Sequence, residues 1–204
     1  MKKTIVTRTA AGLAGAALLA GIAGAAYADE KVGDSTGVDV NVSIDERETG
    51  TLAMTVAEGD APLTEVASND PAIREFTGVL PTVTVTDTRT AEEIPEGAYW
   101  WVEGTASSFV GDNGQRQISA GHLGWSPYVD DNGNGMIGAG GDVETVLDDG
   151  PANRGLQGEE LLGMSLDSVE TLGTWEATAD LTLKVPADTE AGNYHSTITL
   201  SLFE

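Results

Sequence analysis

The sequence predicts an all-β fold: a single-domain antiparallel β-sandwich or partly open barrel of the Ig-like, Greek-key type. Three observations predict it. Apolar and polar residues alternate at period two in several short runs, turn-forming residues separate those runs, and 3.6-residue periodicity is almost absent.

Val38, Val40, Val42 and Ile44 alternate with Asp39, Asn41 and Ser43, the pattern of a half-buried strand. Leu52, Met54 and Val56 repeat it. The stretch 57–69 holds Gly, Pro and acid and reads as a turn with a weak strand. Two further strands are expected over 76–80 and 82–87, with Pro81 marking a strand end or an edge because it has no N–H to give. Thr82-Val83-Thr84-Val85-Thr86 is the cleanest run, since β-branched side chains suit a pleated surface. A polar connection over 90–97 leads to an aromatic-rich strand over 99–106.

Residues 112–114 read as a turn and 117–120 as a strand. Leu123-Gly124-Trp125 reads as an apolar island ending in a Pro turn, and 130–142 as a long Gly/Asn/Asp loop. Val143, Thr145 and Leu147 suggest a short strand, while 155–164 fits either a short helix or an extended segment. From Trp175 to Val185 the alternation is plain, 186–192 is a turn, and 194–203 is a last strand.

The first 28 residues are expected to be an export signal. Lys2, Lys3 and Arg8 precede an Ala/Gly/Leu stretch that closes on Ala26-Tyr27-Ala28 before the acidic Asp29-Glu30. That stretch is short and Gly/Ala-rich for a spanning helix. Residues 29–37 are expected to be a flexible lead, and 38–204 the β domain. Removing the signal leaves seven basic residues against 33 acidic ones, so the net charge moves from −23 to −26. Such a polyanion repels nucleic acid and anionic lipid and favours cations and basic surfaces. The acid is spread along the chain, as on a solvated surface. With no cysteine, disulfides, thiolate metal sites and a Cys nucleophile are excluded. No further span and no LPxTG-like sorting tail is legible, so retention on a cell is expected to be non-covalent or through a partner.

At Thr82 the chain reaches residues that carry a resemblance. Val83-Thr84-Val85-Thr86-Asp87-Thr88-Arg89 is followed by Trp100-Trp101-Val102, Ile118-Ser119-Ala120 and Leu123-Gly124-Trp125-Ser126-Pro127. Then come the run from Ala179 to Pro186, Ala191-Gly192-Asn193-Tyr194 and the stretch Thr197 to Leu202. In order and spacing this resembles the WxL-domain surface proteins of Gram-positive bacteria, in the divergent form of high-GC species. The resemblance covers about 38–204. That family is named for two Trp-x-Leu motifs. Here Trp100-Trp101-Val102 stands at the first with Val for Leu, and Leu200-Ser201-Leu202 at the second with Leu for Trp. The resemblance implies an exported β-rich protein that associates non-covalently with peptidoglycan or with other surface proteins.

Strand geometry gives the motif a physical sense. Trp100 and Val102 share one face, and Tyr99, Trp101 and Glu103 the other. One face is then core. The other shows aromatics as a stacking platform for sugar rings or a partner, with Trp101 the better candidate for exposure; Trp125 and Trp175 read as structural. The candidate binding set is Tyr99, Trp100, Trp101, Val102, Trp125, Leu200 and Leu202.

A cation loop is the second candidate site. Asp130, Asn132 and Asn134 alternate, Gly135 is sixth and Ile137 eighth, as in a calcium-binding turn. The twelfth position is Gly141 rather than Glu, and Asp142 comes one residue late. Asp130, Asn132, Asn134, Met136 and Asp142 form the possible calcium set; the alternative is a solvated Gly/Asn turn.

No catalytic motif is legible around His122 or His195, and no Gly-x-Ser-x-Gly, His-Glu-x-x-His or Ser-x-x-Lys occurs. The expectation is a secreted, cell-wall-associated binding or structural module and not an enzyme. The alternatives are an assembly subunit that binds another surface protein by strand addition and, last, a glycan-processing enzyme.

Overall fold

The computed structural model describes residues 41–43, 49–131 and 135–204. The chain divides into two units, Met1–Asp45 and Glu46–Glu204. Of the first, only 41–43 are described, exposed and without regular structure. The strand expected over 38–44 otherwise lies outside the described residues, as do the signal and the lead.

The second unit is nearly all β, in antiparallel curled sheets that form a sandwich-like half-barrel. In chain order its strands are β1 (Leu52–Val56), β2 (Thr64–Val66), β3 (Ile73–Val79), β4 (Val83–Asp87), β5 (Trp101–Ala106) and β6 (Val110–Gly111). They continue with β7 (Leu123–Val129), β8 (Ile137–Ala139), β9 (Glu160–Ser165), β10 (Gly173–Pro186), β11 (Tyr194–His195) and β12 (Ile198–Phe203). Two single-turn 3-10 helices, Ala120–His122 and Gly155–Gln157, fill connections.

The larger sheet is built on β10, 14 residues long, in which apolar and polar side chains alternate from Trp175 to Val185. β3 and β4 follow one another along one of its edges: Pro186 faces Ile73, Asp180 faces Val79, Ala177 faces Val83 and Gly173 faces Asp87. Pro81 sits at the jog between them. There the Leu80 N–H donates to the Ala179 carbonyl at 2.9 Å, and the Thr178 hydroxyl to the Leu80 carbonyl at 2.6 Å. β7 lines the other edge of β10, and β1 and β2 flank β4 and β3.

The smaller sheet runs β12-β5-β9-β8, and β6 pairs with β11 as a short ribbon. Between the sheets lies one core. Val83, Val85, Trp175, Ala179, Leu181, Leu183 and Val185 meet Trp100, Val102, Leu162 and Ile137, and Leu156 and Phe109 belong to the same cluster. Each large side chain buried this way contributes about 1.5–3 kcal/mol, the main stabilising term in a chain without disulfides.

Four local expectations are corrected. Pro127 does not end a turn but lies inside β7, opposite Ala179. The Trp125 N–H, two residues earlier and of the same parity, donates to Val143, away from β10. The nitrogen of Pro127 therefore faces the side where no ladder bond is needed. Residues 117–120 make only a bridge, Phe109 to Ile118, and 143–147 only a bridge, Trp125 to Val143, before a turn that Asp148 caps. The loop 130–142 contains β8. The segment 155–164 is both things at once, a helical turn and then β9.

Candidate functional site

β5 places its residues alternately in and out. Trp100, just before it, and Val102 are each 2% exposed and belong to the core. Trp125 is equally buried: its ring lies over Gly104, where a Cβ would stand 2.6 Å from the indole Cη2. Leu202 faces Val102 and Leu200 faces Gly104 across the β12–β5 ladder, so both point inward and pack on the core half-buried. Five of the seven binding candidates are thus core side chains, held inside by the strand period that puts Trp101 outside.

The outer face of the same sheet carries the exposed set. Trp101 is half-buried there, between Tyr99 (46% exposed) and Phe203 (38% exposed). The Tyr99 and Trp101 rings have centroids 5.5 Å apart at 32°, and Trp101 and Phe203 5.3 Å apart at 18°. Rings in full face contact stand at about 3.5–4 Å, so these are offset and keep part of each face uncovered.

The β12–β5 register extends the row. Phe203 faces Trp101, Ser201 faces Glu103, and Thr199 faces Thr105. Glu103, Thr105, Glu159, Thr199, Ser201 and Phe203 line a shallow depression that begins where the aromatic row ends. The face therefore offers an apolar strip continued by hydroxyls and two carboxylates. Phe203 was not among the sequence candidates. The alternation Thr199, Ser201, Phe203 places it on the outer face, but its position beside Trp101 depends on a register set between distant strands.

No family model, curated protein or solved structure matches this chain.

A polar clamp closes the sandwich beside this face. Arg89 donates to both oxygens of Asp87, Nε to Oδ1 at 2.9 Å and Nη2 to Oδ2 at 2.7 Å. It also donates to both oxygens of Glu204, from Nη1 at 2.8 Å and Nη2 at 2.6 Å. Asp87 ends β4 in one sheet and Glu204 follows β12 in the other. The Asp87 side chain is fully buried. Burial pushes its carboxyl up, but the hydrogen bonds and charge of Arg89 outweigh that and hold it below the usual carboxylate range. The Arg89 hydrogen bonds likewise hold Glu204 low. This gives a physical role to the Thr-Asp-Thr-Arg segment, which the sequence offered only through resemblance.

The cation loop is only partly described. Asn132 and Asn134 lie outside the described residues. The Asp130 N–H donates to the Glu176 carbonyl at 3.2 Å, Met136 is half-buried, and Asp142 accepts a hydrogen bond from Ser126. Asp131 accepts the Gly135 N–H at 3.2 Å. Among the described residues no group of three or more His, Asp or Glu is placed to hold a metal ion.

His122 donates its Nδ1–H to the Lys184 carbonyl at 2.7 Å, and His195, exposed, pairs with Asp112 at 3.2 Å. Lys184 pairs with Asp148 at 2.6 Å. Burial raises the Asp148 carboxyl, and the Lys184 and Thr145 hydrogen bonds bring it below its ordinary value. No helix among the described residues is long and apolar enough to cross a membrane.

Proposed function

We propose that this chain is an exported, non-enzymatic surface module that associates non-covalently with cell-wall glycan through the outer face of its smaller sheet. The observation that supports this best is the row Tyr99–Trp101–Phe203, with offset rings on an open strand face and hydroxyls and carboxylates beside it. Aromatic faces stack on the apolar faces of sugar rings while neighbouring polar groups take the sugar hydroxyls, the usual division of labour in a binding site. The resemblance to WxL-domain proteins and the signal-like first 28 residues point the same way.

The test is sedimentation of the mature protein with purified peptidoglycan. Native protein co-sediments, and Trp101→Ala loses at least about tenfold in affinity, as expected for an aromatic anchor. Retention of Trp101→Ala at the native level would defeat the proposal.

One observation favours a second reading, assembly by strand addition. Among the described residues β12 ladders with β5 on one side only, and all six of its residues, Ile198–Phe203, are uncharged in a chain that is 21% charged. An edge without Lys, Pro or a bulge is a ready template for another strand.

A further inference from the structure

We infer that the outer face of the smaller sheet selects glycans bearing free, protonated amines, that is, amino-sugar chains lacking some or all of their N-acetyl groups. This rests on the reading of that face as a glycan platform and adds the chemistry of the occupant.

The argument is one of charge complementarity. The depression continuous with Phe203 is lined by Glu103 and Glu159 together with the hydroxyls of Thr199 and Ser201. Among the described residues no lysine or arginine lines it. Of the five described basic side chains, four are committed elsewhere: Arg74 to Glu65, Arg89 to Asp87 and Glu204, Arg154 to Glu160, and Lys184 to Asp148 and Glu75. The fifth, Arg116, is exposed and lies outside the lining. Among the described residues neither Glu103 nor Glu159 has a basic side chain within 4.0 Å. Among the described residues, this face therefore keeps two carboxylates without a counter-charge.

A sugar chain crossing the aromatic row would carry its substituents into that depression. An acetamido group would meet carboxylates that can only accept hydrogen bonds, through a single N–H. An ammonium offers three donors and a full charge, and the same ion is attracted by the faces of Trp101 and Phe203. Anionic polymers are disfavoured twice, by the two carboxylates and by the net charge of −26 left after signal removal. Because Glu103 is only half-buried and Glu159 is exposed, the selection is modest and salt-sensitive.

The test is calorimetric titration of the mature protein with a glucosamine hexamer and, separately, an N-acetylglucosamine hexamer, at low and high salt. The expected result is binding of both, with the free-amine hexamer tighter by roughly fivefold at low salt and the ratio approaching one at high salt. Glu103→Gln with Glu159→Gln should bring the two hexamers to equal affinity at low salt. Trp101→Ala should weaken both, which separates the site from unspecific attraction to an acidic protein. Melting curves of the variants that match the native protein exclude unfolding as the cause. Equal affinity for the two hexamers at low salt overturns the amine selection and leaves the platform standing. Binding of neither overturns both. A preference that survives the double Gln variant overturns the assignment to Glu103 and Glu159.

Discussion

Two adjacent tryptophans have opposite fates because a strand turns successive side chains to opposite faces. Trp100 fills the space between the sheets, and Trp100→Ala should cost about 3–5 kcal/mol in denaturant unfolding. Trp101, half-buried on the outer face, loses its ring contacts with Tyr99 and Phe203, so Trp101→Ala should cost about 1–2 kcal/mol while removing most of the proposed glycan binding. A ranking in which Trp101→Ala is the more destabilising would show that the faces are assigned wrongly. Gly104 is the residue on which Trp125 rests. Its added Cβ would stand 2.6 Å and 2.9 Å from the indole ring and 3.0 Å from Leu200. Gly104→Val should therefore destabilise by about 1–3 kcal/mol, with a lower denaturant midpoint at unchanged slope. The sequence made the facing of Trp100 and Trp101 legible, since it is local. The value of Gly104 was not legible, because nothing near it in the chain announces that an indole will lie there.

At the scale of elements, β12 is the exposed liability of the fold. Thr199→Lys, which adds a charge to this edge, should reduce any concentration-dependent association seen by sedimentation velocity. If association is present and unchanged in that variant, β12 is not the contact. The strands read most cleanly from sequence, β4 and β10, are those with one face wholly in the core, so burial and alternation coincide. β7 was cut short at Pro127 because the edge that its nitrogen faces depends on where β10 lies, which is non-local information. β8 was hidden in a Gly-rich stretch, where pairing with β9 rather than residue preference makes the strand. Phe203 was passed over for Leu200 and Leu202 for a related reason. The motif directed attention to the inward residues, whereas the register with Trp101 brings the outward one to the site.

The described part of the Glu46–Glu204 unit is held by one core, a few ion pairs and no covalent staple, and the Arg89 clamp ties its two sheets together. Arg89→Met would leave Asp87 buried without its partner and should cost about 3–5 kcal/mol at neutral pH. The folded-state values of Asp87 and Glu204 are depressed. Their contribution is therefore fully present above the ordinary carboxylate range near pH 4, and is lost as pH falls through the lowered values. Unfolding at a series of pH values should show the gap between native protein and Arg89→Met constant above about pH 5 and narrowing below about pH 4. A gap that widens in acid would contradict the clamp. Composition made the disulfide-free, acidic, all-β character legible, but not the clamp, whose partners lie 115 residues apart. β10 has one more consequence, which concerns timing. Its partners were synthesised well before it, the farthest of them, Ile73 opposite Pro186, about 113 residues earlier, so the larger sheet has no centre until nearly the whole chain exists. Contacts so distant in sequence form slowly. A nascent chain built this way leaves its larger sheet open until β10, the late segment, has been made.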